Sequence, residues 1–193
     1  MRVDPVVPFA VDLSSLARRS VATLYSHLVT RPMGAALRVG IDSQIRDLGT
    51  TCLSVLDFTQ VVVLDYSCAD EAIAKLLRVY SPADRPAEAY FVARGVAERH
   101  REPLEEVLLR HDLVLVAEVE GDGFTLLGRV GPVERLAWTA LQEGPCASAA
   151  ALAESLPGGE SDAADALAVL TRRRTVLRRG ATGEYCALTL LLA

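Results

Sequence analysis

Asp65, Tyr66 and Ser67 put a carboxylate beside two hydroxyls, after the apolar run Val61-Val62-Val63-Leu64 and before the helical repeat Ala69, Ala72, Ile73, Leu76, Leu77 and Tyr80. A strand that feeds a helix through a short polar turn leaves the first helical N–H groups without partners and favours an anion there. Ser67 could take a phosphate and gain nearly two negative charges. The plainer alternative is a helix N-cap at Ser67, with Asp65 as a second capping group. A cationic group, Arg172, Arg173, Arg174, Arg178 and Arg179, has side chains suited to neutralising phosphates. The histidines His27, His100 and His111 stand apart, and none belongs to an H-x-x-x-H or H-E-x-x-H pattern. His100 and His111 flank a helix and are expected at its surface. No P-loop, G-x-G-x-x-G or G-x-S-x-G occurs, so the expectation is a protein without catalytic residues, metal or cofactor.

The chain must supply the core that holds these groups. Half of its 193 residues are apolar and fewer than a quarter are charged, which is globular composition. A net charge of −5 argues against coating nucleic acid or an anionic membrane. Cys52, Cys68, Cys146 and Cys186 form no C-x-x-C pair, and the expectation is buried free thiols. The first residues lack the apolar core of a signal peptide, and no run approaches the roughly 18–20 apolar residues of a membrane span. These features predict a cytoplasmic protein with no membrane partner.

Strands are expected at Val7 to Leu13 and at Ser20 to Thr30, with a helix as the alternative for the second. Thr30, Arg31 and Pro32 open a helix that runs to about Leu48 and ends at Gly49. Leu53 to Phe58 reads as a strand, followed by the Val61–Leu64 run and a helix over 68–80. A strand follows at Glu88 to Val96, then a helix from Arg101 to His111. Leu113 to Val119 and Phe124 to Val130 form a hairpin through Glu120-Gly121-Asp122-Gly123. Alternating strands and helices predict an α/β sheet covered by helices over residues 1–131. Gly131-Pro132 marks the boundary, and residues 132–193 change character. Helices are expected at Val133 to Gln142, Ser148 to Leu156 and Ser161 to Arg173, the last capped by Ser161. A hairpin then pairs Thr175 to Arg179 with Glu184 to Leu191.

Three helices followed by a hairpin resemble a winged helix-turn-helix. The stretch Leu56-Asp57-Phe58-Thr59-Gln60-Val61, continued by Leu64-Asp65-Tyr66-Ser67-Cys68-Ala69-Asp70-Glu71, resembles the STAS-like domains related to anti-sigma-factor antagonists. Its S-x-A-D-E portion is similar to a divergent STAS-like group of unknown function. In the antagonists the serine directly after the turn's aspartate is phosphorylated to switch partner binding. Here Tyr66 stands in that place, Ser67 follows it, and Cys68 and Ala69 replace the usual glycines. The resemblance implies a regulatory protein of bacterial signalling or transcription control. Its partner-binding or switch residues would be Asp65, Tyr66, Ser67, Ala69 and Asp70, with a protein as partner.

The alternative is a regulator that reads DNA through the 161–173 helix and the 175–191 wing, using the five arginines named above. Charge weighs against it. Residues 133–193 hold six arginines and seven carboxylates, and Glu160, Asp162 and Asp165 lie at the start of the reading helix. The apolar end, Leu188 to Ala193, is read either as a buried wing strand or as a contact in a homodimer.

Overall fold

The β-rich runs of the first two thirds of the chain become parallel strands because each is followed by enough chain for a crossover. The computed structural model describes residues 7–12, 27–48, 51–144, 146–179 and 182–192. The expected strand over 20–30 therefore falls largely outside the described residues. Two compact units divide between Arg129 and Val130.

In the first unit the elements run β1 (Val7–Asp12), β2 (His27–Leu28), α1 (Arg31–Leu48), β3 (Cys52–Asp57) and β4 (Val63–Leu64). Next comes one continuous helix in three parts: α2 (Tyr66–Ala69), a π turn (Asp70–Ala74) and α3 (Lys75–Tyr80). Then follow β5 (Ala89–Val96), α4 (Glu98–Arg110), β6 (Val114–Val119) and β7 (Gly123–Gly128). The main sheet has the order β1-β3-β5-β6-β7, with β7 antiparallel to β6 and the other pairs parallel. Its register aligns Val55, Val92, Val116 and Leu126 in one row and Leu56, Ala93, Ala117 and Thr125 in the next. The Leu56 row faces a core shared with Leu37, Ile41 and Ile45 of α1, Ile73 and Leu76 of the long helix, and Leu104, Val107 and Leu108 of α4. The Val55 row, on the other face, is also buried. Burial on both faces explains why these strands read as continuous apolar runs.

Three details differ from expectation. The Val61–Leu64 run yields only the two-residue β4, paired in parallel with β2 beside the main sheet. The helix after it starts at Tyr66, two residues early, because Asp65 supplies the cap. Helix α4 starts at Glu98 and carries His100 inward, where it is 1% exposed, so the expected surface histidine is a core residue.

The second unit holds α5 (Pro132–Gln142), α6 (Ala149–Leu152), a 3-10 turn (Ala153–Ser155), α7 (Gly159–Arg172), β8 (Val176–Arg178), β9 (Tyr185–Ala187) and a final 3-10 turn (Leu188–Leu192). Ser148 caps α6 through its Oγ, which accepts from Ala151 N at 3.2 Å. Trp138 and Leu141 of α5, Leu152 of α6, Leu167 and Leu170 of α7, and Val176 and Ala187 of the hairpin are buried. Helix α7 starts before the expected Ser161 cap, at Gly159 in the left-handed region (φ 64°). The second hairpin strand ends at Ala187 rather than Leu191; the apolar tail turns, burying Leu188 and exposing Leu190. The expectation of four free thiols fails for two of them: Cys146 and Cys186 form a disulfide, while Cys52 and Cys68 are buried and form none. The partners are 40 residues apart in sequence, a separation that carries no pairing signal.

Candidate functional site

Asp65 leaves β4 with extended backbone, and its N–H donates to the Leu28 carbonyl at 2.8 Å, so the β2–β4 ladder fixes where the helix begins. Its Oδ1 accepts from Ser67 N at 2.7 Å and from Ser67 Oγ at 2.5 Å. Asp65 is thus the cap, and Ser67 is the hydroxyl that braces it. The Ser67 hydroxyl, the Ser67 amide, the Cys68 amide and the Arg31 charge, in falling order, hold the Asp65 carboxyl below its ordinary range against a smaller effect of burial. Tyr66 points outward, and partial desolvation, then the nearby Glu102 and Glu106 carboxylates, raise its pKa.

One turn on, the helix widens. The π turn carries two adjacent acids, Asp70 and Glu71, both nearly buried. Arg31 on α1 reaches both, with Nη1 at 3.4 Å from Asp70 Oδ2 and 3.3 Å from Glu71 Oε1. His111 Nε2 donates to Asp70 Oδ1 at 2.6 Å, and Lys75 Nζ donates to Glu71 Oε1. Burial pushes Asp70 up, but the His111 hydrogen bond and the charges of His111, Lys75 and Arg31 together outweigh it and lower its pKa. Glu71 is lowered by the Lys75 hydrogen bond first, then by Arg31, with burial opposing. Arg38 Nε also donates to the Glu71 carbonyl at 3.2 Å, a side chain entering the helix ladder where the turn is wide. Gly34 makes this approach feasible. A Cβ there would lie 2.7 Å from the Cys68 carbonyl oxygen and 2.7 Å from Glu71 Cβ. Single-turn π segments recur at functional sites.

Of the five residues expected to meet a partner, the structure brings Asp65, Tyr66 and Ser67 to the surface and withdraws the others. Ala69 is fully buried, so no partner reaches it, and Asp70 is occupied by Arg31 and His111. Cys68 is buried too, its thiol pushed up to about 12 mainly by desolvation, and it is inert. The surface that sequence reading missed is apolar. Val62 and Val63 just before the turn are 48% and 39% exposed, Tyr66 is 41% exposed, and Val29, next to the Leu28 carbonyl that fixes Asp65, is 38% exposed. Their signal was present in the Val61–Leu64 run, but only the brevity of β4 reveals that two of its members face water. Beneath this surface, Arg99 Nε and His100 Nε2 both donate to the Val62 carbonyl, at 2.9 and 3.2 Å. Burial lowers the His100 pKa, the hydrogen bond to the Val62 carbonyl opposes it, and the neighbouring Arg99 charge adds to the lowering. Its Nδ1 is a buried atom without a partner.

A cleft of about 690 Å³ opens at the carboxyl ends of β3 and β5, lined by Phe58, Thr59, Gly95, Arg99, Glu118 and Glu120 among others. In parallel sheets this end is where ligands commonly sit. Its acids are already engaged in part, since Gly95 N donates to Glu118 Oε2 at 3.3 Å.

No family model, curated protein or solved structure matches this chain. Geometry alone carries the assignment. Among the described residues no group of three His, Cys, Asp or Glu side chains is placed to hold a metal ion, and no helix is long and apolar enough to cross a membrane.

In the second unit, Arg172 ends α7 exposed, Arg173 is its C-cap, and Arg174 turns the chain with φ 60°. Arg178 lies over the Tyr185 ring at 5.8 Å, and Arg179 is exposed. The exposed face of α7 presents Ser161, Ala164, Asp165 and Ala168 before Arg172. That face offers one cation, at its far end.

Proposed function

We propose that the chain is a non-catalytic regulator of the cytoplasm whose first unit is a STAS-like module that binds a protein partner, and whose second unit is a winged helix that passes the bound state on. The observation that carries this reading is the exposed apolar group Val29, Val62, Val63 and Tyr66 at a turn whose polar side chains are braced and orderly. An apolar centre with a polar rim is the usual anatomy of a protein interface. The order of β3, a short strand, a capped polar turn and a long helix, with α1 packed beside it, supports the STAS-like assignment. Three helices followed by a hairpin, bridged to the α5–α6 connection by Ala147 and Tyr185, support the winged helix.

The turn also suits a switch. A phosphate on Ser67 would remove the Oγ–Asp65 hydrogen bond and set two like charges in contact, which disrupts the cap. Reading DNA through α7 has less support, because its exposed face carries Ser161, Ala164, Asp165 and Ala168 and no cation before Arg172, where neutralising phosphates needs several.

The test compares affinity capture from an extract of the source cells by the tagged wild type and by a Val62→Glu, Tyr66→Glu double variant. Both sites are exposed, so stability should move by no more than about 0.5 kcal/mol each. Loss of the captured protein from the variant alone is expected. Equal capture by both proteins sinks the assignment of this surface. A salt-sensitive mobility shift abolished by Arg173→Glu with Arg178→Glu would instead favour the DNA reading.

A further inference from the structure

The second unit contains a covalent link that the proposed function does not use. Ala147 and Tyr185 exchange both backbone hydrogen bonds, Ala147 N to Tyr185 O at 2.9 Å and Tyr185 N to Ala147 O at 2.8 Å. The next opposed pair along this ladder is Cys146 with Cys186, whose Cα atoms are 4.4 Å apart. That is the spacing of a non-hydrogen-bonded pair in an antiparallel ladder. The disulfide therefore occupies a rung that has no backbone hydrogen bonds of its own. It fastens the segment between α5 and α6 to β9, and through β9 to the hairpin. Backbone pairing supplies one isolated bridge at Ala147 and three positions between β8 and β9, and the buried Val176, Leu177 and Ala187 with the Thr189 Oγ1–Gln142 Oε1 hydrogen bond add to it. Cys186 is buried in the hairpin, whereas Cys146 is partly open to solvent. The other two cysteines are fully buried and form no disulfide.

We propose that Cys146 and Cys186 form a reversible thiol–disulfide pair that sets how firmly the β8–β9 hairpin is held. Closure proceeds by exchange with a low-molecular-weight disulfide. The Cys146 thiolate attacks one sulfur of that reagent and releases the first thiolate. The Cys186 thiolate then attacks Cys146 Sγ in the mixed disulfide, forms the Sγ–Sγ bond and releases the second. Two protein thiols are oxidised, and one small disulfide is reduced to two thiols. Excess small thiol reverses both steps. Cys146, the partly exposed partner, is the entry point in each direction. Opening removes the covalent rung and leaves the Ala147 bridge, the β8–β9 pairing and the hairpin's packing, so the backbone around Arg178 and Arg179 opens more often.

The full-length chain is tested with glutathione buffers from oxidised to reduced, without denaturant, and its thiols are then counted by alkylation and mass spectrometry. When the chain is unfolded for alkylation after each buffer, two alkylated positions, Cys52 and Cys68, are expected from the oxidised sample and four from the sample reduced in the native state. Trypsin cleavage after Arg178 and Arg179 is expected to quicken about tenfold on reduction, as local opening becomes commoner. A Cys146→Ser, Cys186→Ser variant should cleave at the fast rate in both buffers. A pair that stays closed in reduced glutathione is a permanent staple, a pair that never closes is no switch, and equal cleavage rates mean the hairpin does not depend on it; each overturns the proposal. None of these readouts depends on the partner surface at Asp65–Ser67.

Discussion

Gly34→Ala sets two effects of known sign against each other. Alanine in a helix interior is favoured over glycine by about 1 kcal/mol, so an open site on α1 would gain stability. Gly34 is not open. Its new Cβ would meet the Cys68 carbonyl oxygen and Glu71 Cβ at 2.7 Å and Ala72 N at 3.2 Å, and none of these is the far end of a flexible side chain. Relief requires α1 to withdraw from the π turn by some tenths of an ångström, and overpacking of this kind costs about 1–3 kcal/mol. The expected net loss is about 1 kcal/mol, up to about 2. With a urea m-value of about 2 kcal/mol/M, the midpoint by far-UV circular dichroism should fall by about 0.5–1 M at unchanged slope. Withdrawal also carries Arg31 away from Asp70 and Glu71, so the variant should unfold at a higher pH than the wild type. An unchanged or raised urea midpoint would show that the two helices do not meet as tightly as argued and would refute the account of why glycine stands there.

Further outcomes follow from the same geometry. Asp65→Ala removes the cap from Ser67 N and should cost about 1 kcal/mol, read as a lower urea midpoint, while Asp65→Asn should cost clearly less because its amide oxygen still accepts. Asp65, Asp70 and Glu71 all have folded pKa values below their unfolded ones. Their stabilisation is therefore fully present above about pH 5 and lost as pH falls through about 4 and below, so a plot of unfolding free energy against pH should rise through that window. Asp70→Asn with Glu71→Gln should flatten that rise. Reducing the Cys146–Cys186 bond opens a loop spanning 40 residues and should destabilise the second unit by about 3–4 kcal/mol on the loop-entropy account. Trp138, the sole tryptophan and buried in that unit, reports this as an earlier fluorescence transition under reductant.

Much of the architecture was legible because local signals and tertiary demands agreed. Thr30-Arg31-Pro32 opens α1, with Thr30 Oγ1 accepting from Met33 N, and the Gly121–Gly123 turn joins β6 to β7 as its glycines required. The misses are places where packing decides. Nothing in Asp70-Glu71-Ala72-Ile73-Ala74 signals a π turn; it accompanies Gly34 and Arg38 of another helix. His100 looked like a surface residue because charged neighbours surround it in sequence, yet its face of α4 points to Phe58, ring to ring at 6.4 Å. Ala69 and Asp70 belong to the polar motif by sequence but to the helix face turned inward. At the turn itself, both Asp65 and Ser67 were expected as capping groups; Asp65 is the cap, and Ser67, expected as the N-cap, lies inside the helix and braces that carboxylate.

The order of the main sheet has a consequence for how the chain is made. Strands β1, β3, β5, β6 and β7 lie side by side in the order in which they leave the ribosome. Each arriving strand adds to the edge formed by the one before, and no strand must be inserted between two that have already paired. The first unit can therefore assemble progressively during synthesis, with α1, the long helix and α4 closing over each new strand in turn. The antiparallel β7, reached through a short turn, completes the last edge just before the second unit begins to emerge.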